Sequence, residues 1–280
     1  MFHVEQKNIH IKTKDYFLTK EAFSLIQTNQ DGLFKTDPFP SKEQIQKYYK
    51  SKAYLSHNSS IKGVFSFFYS LSRAFNFQLK YSSLKHLLCK GSLLDFGCGE
   101  GHFLKEMSKR GFSSYGVDPS QKKSKKISQS IFDKELSNVS FKTITAWHSI
   151  EHVHNLDKTI KRLYDLLSEN GLLIVGLPNH NSYDAKHYHH LWAGYDVPRH
   201  LWHFNKKALI QVFEKNKFVF HSAHPLIIDA YYVSFLSEKY KETKLPILRS
   251  FVIGTISNLK ALFNGQYSSN YFVFKKNQQI

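Results

Sequence analysis

Hydrophobic and polar positions follow two distinct patterns along this chain. Short apolar runs bounded by glycine, proline or polar residues are typical of buried parallel strands, whereas apolar positions that recur every three or four residues are typical of amphipathic helices. Strands are predicted at Ser92–Phe96, Ser114–Val117, Phe141–Ala146, Leu172–Leu177, Phe218–Phe220 and Tyr271–Phe274. Because predicted helices separate most of these strands, the pattern indicates an α/β fold with a doubly wound parallel sheet.

The predicted helices have recognisable start and stop residues. They are expected over Gly101–Arg110, over the lysine-rich residues after Pro119, from Asn155 to Asn170-Gly171, and from Asn205 to about Lys215. Asn155 and Asn205 are predicted N-caps, because an asparagine side chain can accept a hydrogen bond from the first helical turn. The helix after Asn155 carries the apolar stripe Leu156, Ile160, Leu163 and Leu167.

Three segments lie outside this alternation of strands and helices. Residues 1–60 are polar and are expected to form an N-terminal extension, residues 179–204 form an insertion, and residues 225–265 form a C-terminal helical segment. A helix predicted within 61–90 has the apolar stripe Val64, Phe68, Leu71, Phe75 and Leu79. The C-terminal segment has the stripe Val252, Ile256, Leu259 and Phe263. Most stripes of this kind belong to a hydrophobic core.

Composition narrows the class of protein. With 280 residues, of which 41% are hydrophobic, the chain can fill a sizeable core. Its two cysteines, Cys89 and Cys98, are too few for a disulfide framework or a cysteine-rich zinc site. The start has no apolar run of signal-peptide length, and no later apolar stretch is suited to span a membrane, so a cytoplasmic protein is expected.

The formal net charge of +17 raises the question of an anionic partner. The positive charge is spread along the chain, and the one dense run is Lys122, Lys123, Lys125 and Lys126 on the predicted lysine-rich helix. A solvated helix face accounts for this run better than a nucleic-acid groove does, so nucleic acid is not expected as a partner.

The most informative segment follows the first predicted strand of the alternating region. Asp95 is followed by Gly97, Gly99 and Gly101, a spacing that lets the backbone pass close under a ligand at the tip of a strand. A nicotinamide-type Gly-x-Gly-x-x-Gly fingerprint does not fit, because position 102 is His102. The segment therefore predicts a cofactor site of another type.

The spacing Asp-x-Gly-x-Gly-x-Gly resembles motif I of class I S-adenosylmethionine-dependent methyltransferases. The chain looks closest to the bacterial branch near the ubiquinone-biosynthesis O-methyltransferases, many of which have counterparts of Trp147–Val153 and of the later block Tyr195–Phe204. The resemblance implies a Rossmann-like, mostly parallel sheet of seven strands. It also implies a methyltransferase domain over 61–280, a substrate lid at 179–204, and S-adenosyl-L-methionine as the cofactor.

The resemblance also assigns cofactor-binding residues. Asp118 takes the position that holds the ribose hydroxyls in this family, and a carboxylate there can accept two hydroxyl hydrogen bonds at once. The methionine end of the cofactor carries an ammonium, which is expected near Asp95 and the glycine backbone. The full predicted set is Asp95, Gly97, Cys98, Gly99, Gly101, Asp118, Pro119 and Trp147.

Relatives often begin with a small zinc ribbon, and this chain departs from that pattern. The matching stretch is Thr28–Leu33 followed by Asp37–Pro40, and both cysteines of the second knuckle are absent. Zinc therefore has no ligands by that route, and residues 1–60 are interpreted as a degenerate, metal-free remnant of the ribbon.

The segment after the strand Phe141–Ala146 flanks the cofactor in this fold and supplies candidate catalytic residues. His148 is the candidate general base, because imidazole titrates near neutrality. Related ubiquinone-pathway enzymes hold a divalent ion here with Glu-x-x-Glu-His, and this chain keeps Glu151 and His152 but has His148 in place of the first glutamate. No metal ligand is assigned. In the alternative interpretation, His148 stacks on the adenine edge while Glu151 and His152 cap the following turn.

The lid residues expected to contact the substrate are Arg199 and His200, since arginine can clamp a carboxylate or phosphate.

The combined features predict O-methylation of a small hydroxylated substrate, hydrophobic or lipid-linked, by an enzyme with possible peripheral contact to a membrane. Two alternatives stay open. The net charge favours an RNA methyltransferase, and the missing ribbon cysteines favour a cofactor-binding scaffold whose catalytic activity has decayed.

Overall fold

The computed structural model describes residues 8–49, 77–88 and 90–277. Its strands are β1 (Ile9–Lys14), β2 (Ala22–Gln27), β3 (Leu33–Asp37), β4 (Ser92–Phe96), β5 (Ser113–Val117), β6 (Ile127–Ser128), β7 (Phe141–Trp147), β8 (Leu167–Pro178), β9 (Trp202–Phe204), β10 (Phe218–Pro225) and β11 (Ser269–Lys276). Its α-helices are α1 (His102–Lys109), α2 (Leu156–Leu166), α3 (Tyr183–Tyr188), α4 (Lys206–Lys215), α5 (Ile227–Tyr240) and α6 (Pro246–Asn264). Residues 77–84 are also helical.

The central sheet has seven strands in the order β10-β11-β8-β7-β4-β5-β6. Strands β4 to β8 are parallel to one another. At the other edge of the sheet, β11 runs antiparallel to β8, and β10 runs antiparallel to β11. This confirms the predicted doubly wound, mostly parallel sheet. Because β5 and β7 lie on opposite sides of β4, the strand order reverses there, and ligands bind beyond the carboxyl ends of the strands at such a point.

The continuous apolar run of β8 is explained by burial on both faces of the sheet. Leu173 and Val175 belong to a core cluster that includes residues of α2 and α4. Leu172 and Ile174 point to the other face, where they belong to a second cluster with Leu84 of the helical segment 77–84. Alternate side chains of a strand thus contact different helical layers.

Both predicted asparagine caps are confirmed. The Asn155 Oδ1 accepts a hydrogen bond from the Lys158 N–H at 3.0 Å, and the Asn205 Oδ1 accepts one from the Ala208 N–H at 2.8 Å. These bonds satisfy backbone donors that have no partner within the first helical turn. The caps fix the starts of α2 and α4, the helices that precede β8 and β10.

Two predictions about helices are wrong. Residues 119–126 form turns and irregular structure instead of a lysine-rich helix, and the Ser124 hydroxyl accepts a hydrogen bond from the Ile127 N–H at 3.1 Å. This run has no apolar position that could pack on the sheet, so a helix there would have little to stabilise it. Helix α2 ends before Asn170-Gly171 because Leu167 already pairs with Phe141 of β7.

The described part of the N-terminal extension and the lid build a second sheet together. Strands β1, β2 and β3 are antiparallel, and β9 of the lid pairs with β3, with Phe34 opposite His203. The extension is therefore joined to the lid by backbone hydrogen bonds. Most of the predicted apolar stripe within 61–90 lies outside the described residues.

The C-terminal segment contains α5 and α6, which pack against each other. The predicted stripe on α6 is not a core stripe, because Val252, Leu259 and Phe263 are 46%, 53% and 92% exposed. The fully buried positions of this helix are small residues instead, and the partly buried Ile253 packs against a core cluster. None of the helices in the described part of the chain has the length and apolar content needed to cross a bilayer.

Candidate active site

The glycine loop lies at the carboxyl end of β4 and leads into α1. Gly97, Gly99 and Gly101 have φ angles of 79°, 49° and 75°, which residues with a Cβ rarely adopt. Gly97 is also needed for space, because a Cβ there would lie 2.1 Å from the Ser149 Oγ. A Cβ on Gly99 would meet nothing within 4 Å, so the loop presents open backbone at this point. This is the geometry of a cradle for a ligand.

Asp118 follows β5 and is hydrogen-bonded to the backbone of the glycine loop. Its Oδ2 accepts a hydrogen bond from the Gly99 N–H at 2.9 Å. Its Oδ1 accepts from the Ser120 N–H at 2.9 Å and from the Ser120 hydroxyl at 2.6 Å, while Pro119 between them is exposed. The carboxylate therefore stands beside the open backbone of the loop, in a position suited to accept ribose hydroxyls.

Asp95 is buried at the end of β4, with 3% of its surface exposed. Its Oδ1 accepts a hydrogen bond from the Thr145 hydroxyl at 2.7 Å, and burial raises the pKa of Asp95 to about 7. The Lys80 ammonium lies 4.4 Å from the centre of the Trp147 ring. Its positive charge lowers the pKa of Asp95 and so offsets part of the effect of burial. A further cation beside Asp95 would stabilise its charged form, so this position fits the ammonium of a methionine group.

Two other residues of the predicted cofactor set have mainly packing contacts. The Cys98 side chain is buried against Gly116, where a Cβ would come within 2.6 Å of its sulfur. Burial raises the pKa of the Cys98 thiol to about 12, so its side chain is not a reactive thiolate. Trp147 is half-buried, and its ring lies 5.9 Å from that of Phe103 and 5.7 Å from that of Tyr271.

His148 follows β7 and stands between two carboxylates. Its Nε2 lies 3.0 Å from the Asp229 Oδ2, and its Nδ1 lies 3.6 Å from the Glu151 Oε1. Burial alone would lower the pKa of His148, but Asp229 and Glu151 raise it to about 9. His148 also has a φ of 48°, an uncommon conformation for a residue with a side chain. Such strained positions often occur at functional sites.

Glu151, His152 and His200 bring possible metal-ligand atoms within 4.8 Å of one another. Glu151 is 1% exposed, and within the described ranges neither of its carboxylate oxygens has a hydrogen-bond partner. The Nδ1 atoms of His152 and His200 lie 2.8 Å and 3.0 Å from the carbonyls of Arg199 and Gly194. A proton on each Nδ1 leaves the Nε2 atoms free to bind a metal. Two imidazoles and a carboxylate suit a divalent transition metal.

This ligand set differs from the one that the family resemblance implies. His148, which takes the place of a glutamate ligand in the related enzymes, pairs with Asp229. His200 of the lid joins Glu151 and His152 instead. The lid thus contributes directly to the cluster beside the candidate base.

The guanidinium of Arg199 is occupied by partners within the protein, which does not support the expected contact with the substrate. It is 2% exposed, and its guanidinium donates to the Asp15 carboxylate at 2.9 Å and to the Asp196 carboxylate at 2.7 Å. The Nε also donates to both Asp196 oxygens at 3.0 Å, and another bond goes to the Tyr48 carbonyl at 3.2 Å. Because these partners occupy the guanidinium, Arg199 fastens the lid to the N-terminal sheet and is not expected to contact the acceptor.

His200, the other predicted lid contact, lines a cavity beside Glu151. The walls of this cavity include Glu151, Pro178, His180, Trp192, His200 and Trp202. Burial lowers the pKa of both His180 and His200 to about 4, so these imidazoles are uncharged at neutral pH. The walls combine aromatic rings, neutral imidazoles and the Glu151 carboxylate, and the enclosed space is about that of one water molecule.

Two residues of the site were missed by sequence reasoning. Asp229 comes from the first turn of α5, and Lys80 comes from the helical segment 77–84. Asp229 could have been found as a single acid within the apolar run Leu226–Val233, because an isolated charge in such a run needs a partner. Lys80 had no comparable signal among the chain's many lysines.

The sheet order, the glycine cradle and the acids at β4 and β5 together define a class I S-adenosylmethionine-dependent methyltransferase. The sequence matches the family described as a methyltransferase domain over residues 68–223, and the chain belongs to that family. S-adenosylmethionine is accordingly the cofactor, and the open backbone at Gly99 with the Asp118 and Asp95 carboxylates fits it.

Individual relatives cover different parts of the chain. The chain is 32% identical over 114 residues to the ubiquinone biosynthesis O-methyltransferase of Bradyrhizobium diazoefficiens, a match that covers 35% of this chain and 45% of that enzyme. The chain therefore matches less than half the length of that relative.

Two solved structures share the fold. One is an S-adenosylmethionine-dependent methyltransferase of Thermotoga maritima, described as a possible histamine N-methyltransferase. It is 17% identical, with a TM-score of 0.50, and the match covers 74% of this chain and 92% of that chain. The other is the 1,6-didemethyltoxoflavin-N1-methyltransferase of Burkholderia thailandensis, with a TM-score of 0.52, 10% identity, and coverage of 95% and 100%. The second structure contains 1,6-didemethyltoxoflavin and S-adenosylhomocysteine.

Proposed function

We propose that this methyltransferase acts on a hydroxyl oxygen of a small acceptor that is hydrophobic or lipid-linked. The observation that carries the proposal is the pairing of His148 with Asp229 beside the glycine loop, because a hydroxyl must lose a proton when it is methylated and an imidazole can accept it. The partial similarity to a ubiquinone biosynthesis O-methyltransferase supports the same acceptor chemistry.

The bound cofactor supplies an electrophilic methyl group on a positively charged sulfur. Asp118 and the backbone of the glycine loop would hold its ribose, and Asp95 would neutralise its ammonium. Holding both reactants in line is the main contribution of the protein to a direct displacement. In such a displacement the acceptor oxygen would take the methyl group, and the electron pair of the broken carbon–sulfur bond would stay on the sulfur.

The proton of the acceptor hydroxyl goes to His148. Asp229 lies 3.0 Å from the Nε2 and keeps a proton on that atom, which leaves the Nδ1 to act as the base. The nearest carboxylate to the Nδ1 is that of Glu151 at 3.6 Å, beyond hydrogen-bond distance, so an acceptor hydroxyl can take the bonding position. Because the pKa of His148 is raised to about 9, turnover should increase with pH up to that region.

The test uses purified protein, labelled S-adenosylmethionine and a panel of hydroxylated aromatic acceptors, quinol lipids and RNA. We expect labelled product from a hydroxylated aromatic or quinol acceptor, with the label on oxygen. His148→Ala should abolish turnover while the affinity for S-adenosylhomocysteine stays within about twofold, since His148 is not among the residues proposed to hold the cofactor. His221→Ala, at an exposed position on β10, is the matched control.

Unchanged turnover in His148→Ala would overturn the assignment of the base. Label transferred to RNA alone would identify the RNA alternative. Cofactor binding with no product from any acceptor in the panel would identify a decayed scaffold.

A further inference from the structure

Helix α6 carries its apolar side outward. Its buried residues are all small: Ser250, Gly254, Ser257 and Ala261. Gly254 allows close packing on α5, because a Cβ there would lie 2.7 Å from the Tyr231 ring. An ordinary surface helix buries its large apolar residues and exposes its polar ones, whereas α6 exposes most of its large apolar residues and packs only Ile253 against a core cluster.

The exposed side of α6 carries two apolar groups, one in each half of the helix, which together we call the α6 face. Their members lie on one side of the helix, where Thr255 and Asn258 separate the two groups. They are Ile247 (74% exposed), Leu248 (59%), Phe251 (62%), Val252 (46%), Leu259 (53%), Leu262 (67%) and Phe263 (92%). Single exposed apolar residues need no explanation, but two groups of them on one side of a 19-residue helix mark an interaction surface.

Most of the charged residues that border the α6 face are basic, although Glu242, between Lys241 and Lys244, is an exposed acid. Helix α6 has no acidic residue, and Lys239, Lys241, Lys244 and Lys260 are exposed on or next to it. The Arg249 guanidinium donates to the buried Glu238 carboxylate at 2.8 Å, which neutralises that acid. The surroundings of the α6 face therefore have a positive balance that an anionic surface would complement.

The charge pattern favours a lipid surface over a second copy of the chain. Two α6 faces that met each other would bring their bordering lysines together, and each chain would offer Glu242 as an acid against the four exposed lysines of its partner. A bilayer with anionic headgroups accommodates both features, since apolar side chains enter the boundary of the acyl region while lysines reach the headgroups.

We propose that the α6 face docks on an anionic bilayer, with the helix lying parallel to the membrane surface. Helix α5 connects this face to the active site, because it packs on α6 and also supplies Asp229 beside His148. Docking would therefore hold the active site next to the membrane. The proposal does not depend on which atom of the acceptor is methylated.

The test measures co-sedimentation of the full chain with vesicles of neutral phosphatidylcholine or of phosphatidylcholine mixed with phosphatidylglycerol. We expect binding to the anionic vesicles, weaker binding to the neutral ones, and a decrease as salt is raised. The double variant Phe251→Ser/Leu262→Ser should lower partitioning by roughly tenfold or more, because both side chains belong to the inserted surface. Phe132→Ser is the matched control, since Phe132 is 45% exposed and follows β6 at the opposite edge of the sheet.

Circular dichroism of the double variant checks that the fold is retained, as expected for exposed positions. Absence of wild-type binding to anionic vesicles would overturn the proposal. Equal binding by the wild type and the double variant would also overturn it. A dimer in lipid-free buffer that dissociates in the double variant, with no vesicle binding, would assign the α6 face to self-association instead.

Discussion

Replacing Asp229 by asparagine removes the carboxylate nearest to the His148 imidazole and changes little else. The two groups lie 3.0 Å apart, and with Glu151 this raises the His148 pKa from 6.5 to about 9. A rise of that size corresponds to roughly 3.4 kcal/mol. Because 34% of the His148 side chain is exposed, solvent screening weakens its interaction with the carboxylates. The expected contribution of this interaction to the free energy of unfolding is therefore ~1–2 kcal/mol.

The sign of the pH dependence follows from the direction of the pKa change. His148 binds its proton more tightly in the folded protein, so the stabilisation is complete below the unfolded pKa of 6.5 and disappears as the pH rises through about 9. Asp229→Asn should therefore lower the free energy of unfolding by ~1–2 kcal/mol near pH ~6 and by almost nothing near pH ~10.

Urea denaturation across this pH range measures the free energies, and NMR titration of the histidine rings measures the pKa of His148 directly. Asp165→Asn, at an exposed position on α2, is the matched control and should be neutral at every pH. A destabilisation of Asp229→Asn that is independent of pH, or an unchanged His148 pKa, would refute the reasoning.

The lid and the metal-ligand cluster give two further predictions. Arg199→Ala leaves the Asp15 and Asp196 carboxylates without their cation. It should lower the free energy of unfolding, measured by urea denaturation, by ~3–5 kcal/mol. A decrease below ~1 kcal/mol would contradict the role of Arg199 in connecting the lid to the N-terminal sheet. Manganese ions added to chelator-treated protein should raise its melting temperature, and Glu151→Gln should remove that increase. The same increase in Glu151→Gln would contradict the ligand set of Glu151, His152 and His200.

Local signals in the sequence predicted six strands of the central sheet and the glycine loop, whereas the short strand β6 had no such signal. The run before Asp95, the alternating glycines and the acid at Asp118 each depend on short stretches of backbone, and the structure brings them to adjacent strand ends. Apolar periodicity predicted the helices that bury a large apolar face on the sheet, such as α2. It failed for the lysine-rich segment, where the assumed helix had no apolar face to bury.

The acceptor side of the site depends on long-range contacts that no local pattern contains. Asp229 reaches His148 from a helix that starts 79 positions later in the chain. Arg199 was expected to bind a ligand because its residue type can do so, but Asp15 lies 184 positions away in sequence and occupies its guanidinium. The apolar stripe of α6 had the periodicity of a core helix, and only the packing of its small residues on α5 revealed that it faces outward.

Calorimetric titration with S-adenosylmethionine tests the central claim most directly. We expect one molecule bound per chain. Asp118→Asn should weaken binding by roughly 10–100-fold, because hydrogen bonds from ribose hydroxyls to a charged carboxylate are lost. Asp165→Asn should bind like the wild type. No binding to the wild type, or equal affinity in Asp118→Asn, would contradict the assignment of the glycine cradle and Asp118 as the cofactor site.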